Sequence, residues 1–361
     1  MVIIEKSEIT FVCTGHVFNE GEFTTKKSLQ SVRQYFPESK IILSTWEDED
    51  LSTVADLYDE LVLNKKVPLK YSCCLPKCDW YPKLNSYDSQ QLSTYSGLVK
   101  TKTKYAVRLR TDFILSNDCF LKNYIELLSV FDGEFNKKKV FKQKVLIHQT
   151  GTISPYTTDL PLIHHPSDIF HFGLTEDLLK LWSNTPIPDE VANFFSILET
   201  NIANPCLFNH QFTPEQYLWL VTLDKANIKY KRPSYYLSYD KEMVEDQDEL
   251  FLTNFLILDE IALGVQSKFD RKLLPYTHRF YNFCLYVSNY KRQFKTFNGN
   301  KLVNFIRYSE KGKIHKYKIS KNKQRLLHSR GVLKSLEAVV NIFFYYCVVV
   351  NDELKKMFYK N

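Results

Sequence analysis

Four short segments bring together side chains capable of chemistry. In residues 104–115, KYAVRLRTDFIL, Arg108, Arg110 and Asp112 cluster at the end of an alternating apolar stretch. Charged side chains on a buried strand are paired or bind something. Guanidinium groups beside a carboxylate suit either a phosphate-bearing ligand with its metal ion or an ion pair that closes the strand end. Ser167-Asp168 lies among His164, His165 and His171. A carboxylate or imidazole there can take a proton from a hydroxyl; the plainer reading is a capped turn with solvated histidines. His164 and His165 are adjacent and point apart on an extended chain, which counts against a histidine metal site. Ser44-Thr45-Trp46-Glu47 closes the apolar run KIILS. There Trp46 suits stacking on a flat ring or half-burial in a surface loop. In Pro214-Glu215-Gln216, Glu215 is either an acid–base group or a residue favoured in the first helical turn by the helix dipole.

These residues need elements to position them, and the first part of the chain alternates as strand and helix. Ile9–Cys13 reads as a strand. Thr24 or Thr25 caps a helix to about Tyr35, with Leu29 and Val32 on one face, and Pro37 ends it. Residues 40–44 and 60–63 read as the second and third strands, residues 68–83 as a loop, and residues 89–100 as a polar helix before the Arg108 strand. Such alternation predicts a mostly parallel sheet with helices on its faces. Ligands bind such sheets at the carboxyl ends of the strands. Residues 117–163 look less regular. Ile169, Phe170 and Phe172 read as another strand, Gly173 as a turn and Thr175 as the N-cap of a helix with Leu178, Leu179 and Trp182 inward. Thr213-Pro214-Glu215 opens a helix through about Asp224.

The chain has 361 residues, 44% apolar and 25% charged, an ordinary globular balance. Its 10 glycines include no GxGxxG and no GKS or GKT, so a phosphate site has to rely on side chains and helix ends. The eight cysteines show no second pair at zinc-finger spacing. They read as reduced thiols of a cytoplasmic protein, with Cys13 and Cys347 as small core residues. The N-terminus has no signal-peptide pattern. Charge is uneven. Residues 291–334 hold 14 Lys or Arg against Glu310 alone, a net of +13, and residues 335–361 balance, so with +7 overall residues 1–290 carry 7 − 13 = −6. A mildly acidic domain, 1–290, thus bears a basic, aromatic and mainly helical extension, 291–361. The apolar run Ala338–Val350 is too short to span a bilayer, which needs about 20 residues.

Taken together, SVRQYFPESKIILSTWE (31–47), QLSTYSGLVKTKTKYAVRLRTDFIL (91–115), HPSDIFHFGLTEDLLKLW (165–182) and PEQYLWL (214–220) resemble the WavE family of lipopolysaccharide-synthesis glycosyltransferases. The resemblance implies a GT-A-like, Rossmann-type mixed sheet flanked by helices, with an acidic motif ending a central strand. By position it puts Thr45, Trp46 and Glu47 beside the donor nucleotide, Arg110 and Asp112 at the acidic motif, Asp168 on the acceptor side and Glu215 on a nearby helix. Two departures fall near the expected donor pocket: Cys13-Thr14-Gly15-His16 replaces a Gln-Gly-Pro run, and Ser89-Gln90-Gln91 replaces Asn-Arg-Gln. Thr14 and Gln91 therefore join Arg108 as expected donor contacts.

The function so implied is transfer of a sugar from a nucleotide-sugar to a hydroxyl of a bacterial surface glycan, lipopolysaccharide or capsule, with Asp168 or Glu215 as base. Arg110 stands where Asp-x-Asp has its first carboxylate, which leaves Asp112 as the ligand for a divalent cation, Mn2+ or Mg2+. The partners implied are the nucleotide-sugar, a glycan or glycolipid acceptor, and the anionic inner-leaflet surface through residues 291–361. The alternatives are a non-catalytic glycan-binding protein on the same fold and a nucleic-acid-binding protein; confinement of the basicity to the extension argues against the latter.

Overall fold

The structure, a computed structural model, describes residues 3–68, 70–71, 84–85, 87–131, 138–156, 162–183, 185–194, 210–267, 280–281, 285–287 and 289–290. The cysteine-rich stretch 72–80 and the extension 291–361 lie outside the described residues. Among the described residues no helix is long and apolar enough to cross a membrane.

A seven-stranded sheet runs β10-β8-β9-β6-β1-β2-β3. Its strands are β1 (Ile9–Thr14), β2 (Lys40–Trp46), β3 (Glu60–Asn64), β6 (Tyr105–Arg110), β8 (Val145–His148), β9 (Phe170–Leu174) and β10 (Phe255–Leu258). All pairings are parallel except the two made by β9, which runs against β6 and β8. Short antiparallel ribbons pair β4 (Lys70–Tyr71) with β5 (Leu84–Asn85), and β7 (Phe113–Leu115) with β11 (Val265–Ser267). This is the mostly parallel mixed sheet flanked by helices that the sequence implies.

The strands form where fully apolar runs can be buried on both faces, as a helix-covered sheet requires; every residue of β1, β8 and β10 is buried. On one face, Phe11 meets Phe36, just beyond α1 (Thr25–Tyr35), and Phe120 of α3 (Cys119–Phe131). Phe120 also meets Phe172, and each fully buried ring of this kind contributes about 2 kcal/mol. On the other face lie α2 (Tyr87–Val99) and α4 (Thr175–Leu181). There α2 approaches closely because position 97 is Gly: a Cβ would sit 2.4 Å from Val12 Cγ1 and 3.1 Å from Ser44 Cβ. Ser44 Oγ donates to the Ser93 carbonyl at 2.6 Å across the same contact. Further on come α5 (Asp189–Ala192), α6 (Pro214–Lys225), α7 (Lys241–Asn254) and α8 (Glu260–Leu263).

Several expectations need correction. Within residues 117–163 the described part holds two regular elements: α3 presents Phe120, Tyr124, Leu127, Leu128 and Phe131 on one buried face, and β8 follows. The residue before α4 is Leu174, without a side-chain cap, and Thr175 is the first helical residue. The Thr175 hydroxyl donates instead to the Thr103 carbonyl at 2.9 Å, tying the end of β9 to the start of β6. Gly173 lies inside β9 rather than in a turn.

Candidate functional site

The parallel strands end along one edge of the sheet, at Thr14, Trp46, Arg110 and His148. Because β9 runs the other way, its start reaches the same edge, and Asp168 lies two residues before it. The crevice outside these ends is where an open α/β sheet places ligands.

Arg110 and Asp112 flank the turn between β6 and β7. Arg110 donates from Nε to Asp112 Oδ1 at 2.9 Å and from Nη2 to Oδ2 at 3.0 Å, a two-pronged grip on a buried carboxylate. Burial acts to discharge the Arg110 guanidinium, but Asp112 outweighs it and raises the Arg110 pKa above its ordinary value. The ordered turn is tied back to the loop after β1: Thr111 N donates to the Thr14 carbonyl, and Thr111 Oγ1 to the His16 carbonyl at 2.5 Å.

Arg108 does not face the crevice. It is buried beneath it, its guanidinium carbon 4.9 Å from the Trp182 ring centroid. Its Nη1 donates to the carbonyls of Asp168 and Ile169, the latter at 3.0 Å. Burial lowers its pKa to about 10 against the pull of Asp168. Arg108 thus fixes the backbone that carries Asp168.

Just ahead of β9, Asp168, Glu215 and His165 converge. His165 is buried, with Nδ1 2.8 Å from the Gly151 carbonyl and Nε2 3.4 Å from Glu215 Oε2. Gly151 sits at φ +88°, and a Cβ there would press on Ser167 Oγ at 3.1 Å, so the turn that offers its carbonyl favours glycine. Glu215 is placed by the capping box of α6, in which Thr213 Oγ1 accepts from Gln216 N and Gln216 Oε1 accepts from Thr213 N. Burial and then the Glu215 charge push the Asp168 carboxyl above its usual range, opposed by Arg108, Arg110 and His165. Burial also acts to raise Glu215, but His165, through its charge and hydrogen bond, holds it below its usual range. His165 is raised: burial opposes its charged form, and Glu215, Gly151 and Asp168 outweigh burial. Two carboxyl groups pushed apart in this way are suited to different acid–base roles.

The histidines are not solvated. His164 is buried at φ 60°, a left-handed conformation uncommon outside glycine. His171 accepts from Trp182 Nε1 at 3.1 Å and reaches the Ser167 carbonyl at 2.9 Å; burial pushes its pKa down to about 3, and it acts as a neutral brace.

At the other end, Thr14 Oγ1 and Trp46 Nε1 are buried and find no hydrogen-bond partner among the described residues. The Trp46 ring is covered, 6.0 Å from His16, so its N–H rather than its face is the group to consider. Thr45 Oγ1 donates to the Gly15 carbonyl at 2.8 Å and shapes the loop after β1. Glu47 is exposed; the carboxylate that organises the loop is Glu49, 2.5 Å from His16 Nδ1 and accepting from Val17 N at 3.0 Å. Gln91 is fully engaged elsewhere, donating to the Ser183 carbonyl at 2.6 Å and accepting from Thr185 N at 2.9 Å, so it pins Ser183 and Thr185.

Asp112 is the carboxylate on which a divalent ion would rest, and it is already engaged. Both Asp112 oxygens accept from Arg110, and among the described residues no three His, Cys, Asp or Glu side chains are grouped to hold one.

Sequence reasoning noticed His165 only as one of three histidines and missed Glu49 and Thr111. The contacts that give them roles span 14, 32 and 95 residues, and no local pattern encodes them.

A profile of the family described as WavE lipopolysaccharide synthesis matches residues 9–319. No protein of curated function matches. Among solved structures, 4-diphosphocytidyl-2C-methyl-D-erythritol synthase from Anaerococcus prevotii DSM 20548 is similar at 13% identity, over 68% of this chain and 94% of that chain, with a TM-score of 0.30.

Proposed function

The chain belongs to the WavE lipopolysaccharide synthesis family, so its role lies in lipopolysaccharide synthesis, and we propose that it moves a sugar from a nucleotide-sugar to a hydroxyl of a surface-glycan intermediate. The observation that carries this reading is the meeting, at one sheet edge, of the Arg110–Asp112 fork with the unequal carboxyl pair Asp168 and Glu215.

In this mechanism the donor lies across the ends of β1, β2 and β6. The Thr14 hydroxyl and Trp46 indole N–H offer buried polar contacts to its nucleoside. As the bond from the sugar carbon to the phosphate oxygen breaks, the electron pair leaves with the nucleotide, and Arg110 faces the developing charge from a site already arranged to hold it. The sugar becomes oxocarbenium-like. The acceptor oxygen bonds to the sugar carbon and loses its proton to the Asp168 carboxylate, the arrangement an inverting transfer requires. Arg108 holds the backbone of Asp168 in place.

Incubating the full chain with UDP-, GDP-, CMP- and ADP-sugars tests the reading. One donor should raise thermal stability by mass action and release its nucleotide. No shift and no release with any of them would overturn it. Release by the wild type but not by Asp168→Asn supports the base assignment and separates an enzyme from a glycan-binding protein.

The basic residues of 291–334 suit an anionic leaflet, at roughly 1 kcal/mol per Lys or Arg near the surface. We propose that this segment holds the protein at the cytoplasmic membrane face, near a lipid-linked acceptor. The full chain should then sediment with vesicles containing anionic lipid and be released by about 0.5 M salt. Equal binding to neutral vesicles would remove the idea.

A further inference from the structure

The contacts of His165 constrain its protons. Its Nδ1 lies 2.8 Å from the Gly151 carbonyl, which can only accept, so Nδ1 carries a hydrogen. Its Nε2 lies 3.4 Å from Glu215 Oε2. With Nδ1 protonated, a neutral ring would turn a lone pair on Nε2 toward a carboxylate oxygen. The arrangement therefore holds one further proton, on Nε2 or on Oε2.

The surroundings decide its place. From β6 come Arg108 and Arg110, with Asp112 beyond the turn; from the strand-leading segment, Asp168; from α6, Glu215; and from the segment before α6, His210. Glu215 lies in the first turn of α6, where backbone N–H groups and the helix dipole favour a carboxylate. Asp168 lies on the same side and favours a cation at His165.

We propose that His165 is a positioning residue, doubly protonated in the resting protein, that fixes Glu215 as a permanent carboxylate and so leaves Asp168 as the group that takes the acceptor's proton. This rests on the glycosyl-transfer reading for its last step, but not for the first two. One proton moves per turnover, from the acceptor oxygen to Asp168, and neither His165 nor Glu215 exchanges one with substrate. Glu215 thus serves as a fixed negative neighbour that makes Asp168 more basic, instead of a second base.

Nitrogen-15 NMR of the full chain labelled at histidine tests the charge directly. The His165 signals, identified by their loss in His165→Asn and in His165→Gln, should be those of an imidazolium at pH 7.5 and become those of a neutral ring in Glu215→Gln. A neutral His165 at pH 7.5 in the wild type overturns the proposal. Kinetics supply the second readout, with whichever nucleotide-sugar of the UDP, GDP, CMP and ADP set is turned over. His165→Asn keeps a donor toward Gly151 but loses Nε2, and kcat should fall about 10- to 100-fold with donor KM nearly unchanged, as for a slightly misplaced group. His165→Gln offers an amide N–H to Glu215 and should recover part of that loss. Loss confined to KM overturns the positioning role. A wild type with a charged His165 that turns over none of the donors leaves the pair standing and overturns the glycosyl-transfer reading, so the two failures are told apart.

Discussion

Arg110 and Asp112 meet in a bidentate pair at 2.9 and 3.0 Å, two residues apart across the turn that joins β6 to β7. A carboxylate so held is a partner for a guanidinium before it is a ligand for anything else. Asp112→Ala should therefore act on Arg110. It leaves a mostly buried cation without its main partner, at a cost of about 3 kcal/mol by chemical denaturation, and nucleotide release should fall at least 100-fold. Asp112→Ala with full activity would end the site assignment. Chelation by EDTA should change the wild-type rate less than twofold, and a strict requirement for Mn2+ or Mg2+ would show that the fork opens to admit an ion.

On the proposed mechanism Asp168 sets the acid limb of the pH profile. Its carboxyl is raised above 3.8, first by burial and then by Glu215. As a base it works only when ionised, so kcat/KM should rise with pH through a midpoint above that value. Glu215→Gln removes the neighbouring charge and should move the limb to lower pH. Were Glu215 the base, the limb would disappear with the activity.

The same shift has a stability consequence of known sign. A group whose folded pKa is raised gives stability that is fully present below its unfolded pKa, here 3.8, and is lost as pH rises through the folded value. At neutral pH the ionised Asp168 is then a strained charge. Asp168→Asn should abolish turnover yet raise Tm at pH 7 by about 2 °C. Glu215 has the opposite sign: its folded value lies below 4.5, so its contribution is present above 4.5 and lost as pH falls through the folded value. A Tm lowered at pH 7 by Asp168→Asn would contradict this account.

Arg108→Lys keeps charge but not shape. Lysine cannot reach two adjacent carbonyls while lying flat on Trp182. The variant should lose about 100-fold in kcat through displacement of Asp168, and about 2 kcal/mol of stability as carbonyls lose their donor. Wild-type kcat in Arg108→Lys would show that this backbone needs no such clamp.

Gly97→Ala sets helix propensity against packing. Alanine favours a helix by about 1 kcal/mol, but its Cβ would lie 2.4 Å from the stiff, β-branched Val12. Overpacking of this kind costs about 1–3 kcal/mol. A net loss of stability is expected in urea denaturation, and a gain would mean that α2 can lift from the sheet without penalty.

The sequence was most readable where local signals and burial agree. Leu29 and Val32, with Thr24 before them, place α1 closely, and the Thr213-Pro214 start of α6 is matched by its capping box. The face of α3 was written in Phe120, Tyr124, Leu127 and Phe131 but passed over in a stretch with weak boundaries. VLIH and FLIL, the strands β8 and β10, are too short to tell from any buried run. In the site, residue type was legible and direction was not. Arg108 and Arg110 are two apart and so share a face of β6, yet one lies under the crevice and the other grips Asp112 at its rim. Gln91 was read as a contact for a ligand and is held inside the protein by elements distant in sequence, and Trp46, read as a stacking ring, keeps its indole N–H rather than its face for one.

The single reversed strand, β9, divides labour along the sheet. On the proposed roles, the donor half is built from the ends of parallel strands, while the acceptor half hangs from the start of a strand that points the other way and is fed by its own connection, residues 149–169. Apart from the residues that hold Asp168 and His165 in place, that connection can vary without touching the β6–β7 turn that carries Arg110 and Asp112. A lineage could therefore change which hydroxyl receives the sugar while keeping the sugar's carrier, the kind of modularity that lets one scaffold diversify the outer glycans of many cells.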